Sequence, residues 1–193
     1  MVDPTHARLS ALRAWGDQLR TDRRLRRRLA RRTAFVATGI GLLGLSIAFP
    51  PLPRLVWNAT ASAPIGLYAV TPGAPVRVGD MVIARVPEPW RTLAAHRRYV
   101  PSNVPLVKRV AAGPGDEVCA LGTLIFVNGA PMTVRRRRDG AGRLMPWWDG
   151  CARLHAHRYF LLMPGNAASF DGRYFGVTDE TLLIGKARLL WAR

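Results

Sequence analysis

The chain has 193 residues, 49% of them hydrophobic, a formal net charge of +17 and two cysteines. Its length suits one globular domain with terminal segments beside it. The charge alone invites a nucleic-acid partner, but residues 1–32 carry +7 of it, leave +10 to the other 161 residues, and abut an apolar run; that pairing points to a membrane, and no nucleic acid is expected as a partner.

Residues 1–32 read as a basic juxtamembrane helix, with Leu9, Leu12, Leu19, Leu25 and Leu29 spaced loosely along one face and arginines on the others. Such a helix is drawn to anionic lipid headgroups. From Ala34 to Phe49, "AFVATGIGLLGLSIAF", sixteen residues carry no charge, slightly fewer than the roughly 17–25 of a spanning helix. Thr33 and Pro50 to Leu52 lengthen the run, and residues 33–52 are read as a transmembrane anchor. The arginines on its N-terminal side put the N-terminus in the cytoplasm and everything past about Pro50 outside. A cleaved signal peptide is the alternative reading, with small residues in "LSIAF" for the cut, although the basic head of more than thirty residues is long for one. "PPLP" then ends the helix.

Residues 53–193 form the outer domain, and its period changes. "GLYAV", "DMVIARV", "VPLVKRVAA", "DEVCA", "TLIFVNGAPMTV", "RYFLLMPG" and "TLLIGKARLLW" are short apolar or alternating runs bounded by Pro, Gly, Asp and Asn, the signature of strands. The domain is therefore expected to be mainly β. Asn128-Gly129 predicts a hairpin turn. The tract Arg135–Arg138 reads as an exposed loop or hairpin tip, and "MPWWDG" as an aromatic pair that meets the membrane interface or packs on the sheet. Cys119 and Cys151 are too far apart for a compact zinc motif, so no metal is expected. An oxidising compartment lets them pair, and a disulfide or two free thiols are the two readings.

Of 29 basic residues only Lys108 and Lys186 are lysines. Arginine stays charged, whereas a desolvated lysine loses its proton within reach of neutral pH and then acts as a base. In "VPLVKRVAA", alternation puts Val104, Leu106, Lys108 and Val110 on one face and Val107 and Arg109 on the other. Lys108 thus falls on an apolar face, where a charge is costly; a lysine that snorkels or pairs with a buried acid fits the strand equally. Lys186 reads as a surface or membrane-facing residue. A serine hydroxyl needs such a base to become a nucleophile, and the outer domain offers Ser62, Ser102 and Ser169. A histidine-based alternative would draw on His96, His155 or His157, but no GxSxG elbow accompanies them. Pro64 and Gly66 suit a turn that exposes Ser62 at the start of a strand.

"NATASAPIGLY", "PLVKRVAAGPGDEV" and "SFDGRYFG", in that order, resemble the serine-lysine signal peptidase family and, within it, the conjugative-transfer TraF-type peptidases. The likeness spans roughly residues 50–192. It implies a signal-peptidase-like β domain beyond one N-terminal transmembrane helix, in a bacterial inner membrane, with the catalytic domain periplasmic. It also implies Ser62 as nucleophile, Lys108 as general base, and the Thr60 hydroxyl with the Ser62 amide as oxyanion donors. Asp171 matches the acidic residue of the last box, where Ser169 and Arg173 match too. Relatives often carry a serine after that acid, and here Gly172 stands instead. No cofactor is implied. The implied partner besides membrane lipids is a precursor protein with small residues at the cut, a conjugative pilin above all, which such enzymes hydrolyse or close into a ring. Because Ser62 lies about a dozen residues past the apolar run, substrates held by their own hydrophobic segment would meet it near the bilayer. A general signal peptidase and a non-catalytic component of the transfer apparatus are the other two readings.

Overall fold

The computed structural model describes residues 4–49 and 52–193, which fall into two units divided after Pro51. The first unit is one helix, α1 (Pro4–Ala48). The side chains of residues 4–22 and 25 lie outside the described ones, and with them most of the leucine face expected there. The apolar run forms the C-terminal part of α1, and Phe35, Val36, Ile40, Leu43 and Ile47 are exposed along it. The basic and apolar segments are thus one continuous helix. Among the described residues no helix is long and apolar enough to cross a membrane: arginines reach up to Arg32, and the helix stops at Ala48, short of the expected boundary at residue 52. Pro50 and Pro51, expected to end it, lie outside the described residues.

The second unit is mainly β. Its strands are β1 (Leu55–Asn58), β2 (Gly66–Thr71), β3 (Met81–Ala84), β4 (Leu106–Ala112), β5 (Glu117–Leu121), β6 (Leu124–Val127), β7 (Ala130–Val134), β8 (Gly150–Arg153), β9 (Arg158–Leu162), β10 (Thr178–Asp179) and β11 (Leu183–Ala192). Two short α-helices interrupt them, α2 (Trp90–His96) and α3 (Gly172–Phe175), and one 3-10 turn (Glu180–Leu182) leads into β11. Seven strands form one sheet in the order β1-β2-β11-β3-β4-β9-β10, and four form a second in the order β7-β6-β5-β8. Every pairing is antiparallel, as short connections between strands allow.

Each of the seven sequence runs read as strands coincides, within three residues at either end, with one strand of the fold, except the run 123–134, which holds two, β6 and β7. Asn128 and Gly129 both have positive φ, 50° and 77°, which the tightest hairpin turns require. Asn128 also accepts from the Glu117 amide at 2.8 Å, fastening the turn to β5. Strand β4 departs from the simple two-face expectation. Val104 is exposed and lies before the strand, while Val107, on the face opposite Lys108, is buried. At this point the sheet is covered on both sides: Val107 packs with Tyr68, Ile83 and Ala187, and Leu106 packs with Val86, Ala94 and Phe170 on the other face.

Cys119 and Cys151 face each other across β5 and β8 with their sulfurs bonded. Arg135 corrects the expectation of an exposed arginine tract. It is 1% exposed, donates to the carbonyls of Gly122 and Trp148 and to Asp149, and lies 3.5 Å over the ring of Trp147. Burial of a cation is tolerated when its donors are used and an aromatic face lies against it. Arg136, Arg137 and Arg138 remain exposed. Lys186 is half exposed and pairs with Asp80 at 2.8 Å.

Candidate active site

Strands β1 and β2 meet at the pair Asn58 and Gly66, so residues 59–65 leave and return at one point. Gly66 is required there: a Cβ on it would lie 2.0 Å from the Trp191 carbonyl oxygen of β11, inside any tolerable contact. The loop is held from several sides. The buried Asn58 side chain donates to the carbonyls of Thr60, Ala63 and Pro64 at 3.0–3.1 Å and accepts from the amide and hydroxyl of Thr60 at 3.1 and 2.8 Å. Tyr68 donates to the Pro64 carbonyl at 2.8 Å, and Asn166 to that of Ala61 at 2.9 Å. On this loop Ser62 is half-buried, with its Oγ 3.1 Å from Thr60 Oγ1.

Lys108 comes from the middle of the large sheet, on β4 beside Val82 of β3. It is 1% exposed, and burial lowers its pKa from 10.5 to about 8, an effect that nearby Asp171 opposes and Arg173 adds to. Its Nζ donates to Ser169 Oγ at 2.7 Å. A fraction of the lysine is therefore neutral near physiological pH, free to accept a proton. Among the described residues no hydrogen bond joins Lys108 to Ser62. Each is held by a different hydroxyl, Ser169 and Thr60, and all four line one cleft.

The segment carrying Ser169 is fixed from below. Asp171 and Arg173 are both fully buried and paired, Nε to Oδ1 at 2.8 Å and Nη2 to Oδ2 at 3.1 Å. Asp171 also accepts from the Met163 amide at 3.1 Å. Arg173 returns a bond to the Met163 carbonyl at 2.8 Å and reaches that of Val134. The pair thus ties the ends of β9 and β7 to the turn before α3, with its polar atoms satisfied as a buried ion pair needs. The departure at Gly172 has a steric reason. A Cβ there would meet Phe160 at 2.7 Å and the Leu161 carbonyl at 2.8 Å, so a serine does not fit while Phe160 fills that space.

The cleft is walled by Val100, Leu106, Met145 and Phe170, with Tyr99, Asn166, Arg136 and Arg138 among its polar lining. Its carboxylate, Asp139, accepts from Tyr99 Oη and Arg143, which hold it well below the usual carboxylate range. None of His96, His155 and His157 lines the cleft, nor does Ser102; His157 bonds Glu180 instead. Of the residues expected from the sequence, Ser62, Thr60, Lys108 and Ser169 come together in the cleft, with Asp171 and Arg173 directly behind. Asn58 is not among those the sequence points to. A polar residue closing an apolar strand, two positions before Thr60, was the available signal.

A family model described as "Signal peptidase, peptidase S26" matches residues 26–192. The chain belongs to this family. It is 32% identical over 176 residues to a plasmid transfer protein TraF of Escherichia coli, covering 85% of this chain and 99% of that one. It is also 30% identical over 169 residues to the conjugal transfer protein TraF of Agrobacterium fabrum (strain C58 / ATCC 33970), covering 77% and 91%. Among solved structures, a signal peptidase I from Enterococcus faecalis V583 is similar at 16% identity and a TM-score of 0.34, over 58% of this chain and 96% of that chain.

Proposed function

We propose that this protein is a membrane-anchored serine endopeptidase that processes an exported precursor, with Ser62 as nucleophile and Lys108 as general base. The observation that carries the reading is a fully buried lysine with a lowered pKa in the cleft that also holds Ser62. A neutral lysine has two N–H donors and one lone pair. One N–H keeps its bond to Ser169, and the lone pair takes the Ser62 proton once the hydroxyl turns from Thr60. Oγ attacks the scissile carbonyl, the oxyanion is met by the Thr60 hydroxyl and the Ser62 amide, and Lys108 passes the proton to the departing amine. Water, activated by the same lysine, then hydrolyses the acyl-enzyme; an amine in its place would close a ring. The Ser62 amide donates to no protein acceptor among the described residues, as an oxyanion donor should.

The similarity to TraF proteins favours a role in conjugative transfer, with a pilin precursor bearing small residues at the cut as substrate. Residues 33–52 anchor the chain in the bacterial inner membrane, with residues 1–32 cytoplasmic and the peptidase domain periplasmic. Arginines on one flank and apolar side chains exposed along the run support this orientation. Within the β domain, exposed Leu55, Trp57, Leu190 and Trp191, with the two tryptophan rings 5.7 Å apart, form a surface suited to lipid headgroups beside the nucleophile loop.

The test is mass spectrometry of a pilin precursor co-expressed with wild type, Ser62→Ala or Lys108→Ala. The expected result is trimming by wild type alone, and a product lighter by one further water would establish ring closure. Trimming by Lys108→Ala would remove the base, and trimming by Ser62→Ala the nucleophile. Wild-type activity on several secreted precursors and none on the pilin would favour a general signal peptidase.

A further inference from the structure

Among the described residues, Asn58 is a buried polar side chain, 5% exposed, whose every hydrogen bond goes into the loop carrying Ser62. Its Nδ2 faces three carbonyls, those of Thr60, Ala63 and Pro64, so the orientation of its amide is settled: the opposite edge, Oδ1, is the acceptor. Thr60 presents both its amide and its hydroxyl to that oxygen. A hydroxyl has one proton. With that proton on Asn58, Thr60 Oγ1 is the acceptor in its 3.1 Å contact, and Ser62 Oγ is the donor.

We propose that Asn58 is a positioning residue: it fixes the backbone of Thr60 and the direction of its hydroxyl proton, and through Thr60 it aligns Ser62 and the oxyanion donor. No other side chain of similar size supplies this pattern. An aspartate would oppose three carbonyl oxygens with a fourth negative atom, an alanine would leave the Thr60 amide and two further carbonyls without partners, and a glutamine is one methylene too long for the space between strand and loop. In the resting loop Thr60 holds Ser62 as a donor. When substrate enters, Thr60 exchanges Asn58 Oδ1 for the oxyanion, and the two N–H bonds of Asn58 keep the loop in place while it does so. The catalytic half of this inference rests on the peptidase reading above.

The test uses the full chain in detergent, with wild type, Ser62→Ala, Asn58→Ala, Asn58→Asp, Thr60→Ala and the double variant Asn58→Ala/Thr60→Ala. The substrate is a fluorogenic peptide with alanine at the first and third positions before the cut. Asn58→Ala is expected to lower kcat by about tenfold to a hundredfold with KM changed by less than about twofold, the pattern of an oxyanion donor and nucleophile misaligned in the transition state. The double variant is expected to be no more than about threefold slower than the slower single one, because both act through the same hydroxyl. Hydrogen exchange of the segment 58–66 supplies a readout apart from activity. The Thr60 amide, protected by Asn58 alone, should exchange at least about tenfold faster in Asn58→Ala. If the alanine variant does not fold, Asn58→Ser, which keeps a small polar group in this place, is used instead and is expected to lose kcat likewise; Asn58→Asp, opposed by three carbonyl oxygens, should lose at least as much. Wild-type kcat in a folded Asn58 variant, or fully additive losses in the double variant, would overturn the proposal. If wild type and Ser62→Ala are equally inert, the peptidase reading fails; the positioning role then stands if Thr60 protection is lost in the variant and falls if it is unchanged.

Discussion

The two halves of the site are built in opposite ways. Ser62 sits half-buried on a loop between a short edge strand and its neighbour, held by hydrogen bonds from Asn58, Tyr68 and Asn166. Lys108 sits in the middle of the large sheet, fully buried between apolar clusters. A hydroxyl costs little at the surface and needs access, so a pinned loop suffices for it. A base that must be neutral near pH 7 needs desolvation, and desolvation requires the core. The proposed nucleophile is thus held by polar bonds, and the proposed base has its pKa lowered by burial. Substitutions on the two sides should differ in what they do to stability even where they abolish activity alike.

The largest effect expected is on catalysis and is shared by both halves. Ser62→Ala and Lys108→Ala should each lower kcat by about a thousandfold or more on the alanine peptide; a smaller loss for either would break the pairing of the two residues. Next in size is the support behind the lysine. Asp171→Ala leaves Arg173 charged and buried without its partner, and should cost about 3–5 kcal/mol in urea denaturation.

Lys108→Met should abolish activity yet stabilise the fold by about 1–3 kcal/mol at pH 7. The sign follows from the pKa. Below pH 8 the lysine is protonated in both states, and the folded protein bears the full cost of a buried charge. Between about 8 and 10.5 the folded lysine has lost its proton while the unfolded one retains it. The unfolded state then binds more protons, so stability rises with pH across that window, by up to about 3 kcal/mol. Lys108→Met should lack this rise, so that the difference between the two proteins isolates the lysine; Tyr68, Tyr99 and Tyr159, whose pKa values burial raises, lower stability toward about pH 10 and above in both alike. The smallest effect is on the other half. Ser62→Ala should leave stability within about 0.5 kcal/mol of wild type, because the loop is held by Asn58 rather than by the serine.

Much of this architecture was legible in the sequence because it rests on local signals. Seven apolar or alternating runs announced eight strands, Asn128-Gly129 announced the hairpin between two of them, and two lysines among 29 basic residues drew attention to position 108. The parts that escaped depend on partners distant in the chain. Strand β1 has four residues and exists through its pairing with β2 and the β11 contacts beyond it. Helix α2, with seven residues, is too short to display a helical period. Arg135 looked like the start of an exposed tract, and its burial depends on carbonyls and an aromatic ring contributed by Gly122, Trp147 and Trp148. Asn58 escaped for a different reason: its partners, Thr60, Ala63 and Pro64, are near in the chain, but they meet its side chain only because the loop folds back over it. The site motifs pointed to Ser62, Lys108 and their family neighbours, which share one cleft, but not to the detail that Ser169 holds the lysine while Thr60 holds the serine. Those contacts belong to the packed sheet and its loops, which no run of residues displays.

The measurement that tests the account most directly is the pH dependence of kcat/KM for wild-type cleavage of the alanine peptide. With neutral Lys108 as the base, the rate should rise tenfold per pH unit on the acid side and level off above a pKa of about 8. A rate already level from about pH 6 upward would contradict it, because a lysine still protonated there could not be the group that takes the proton from Ser62.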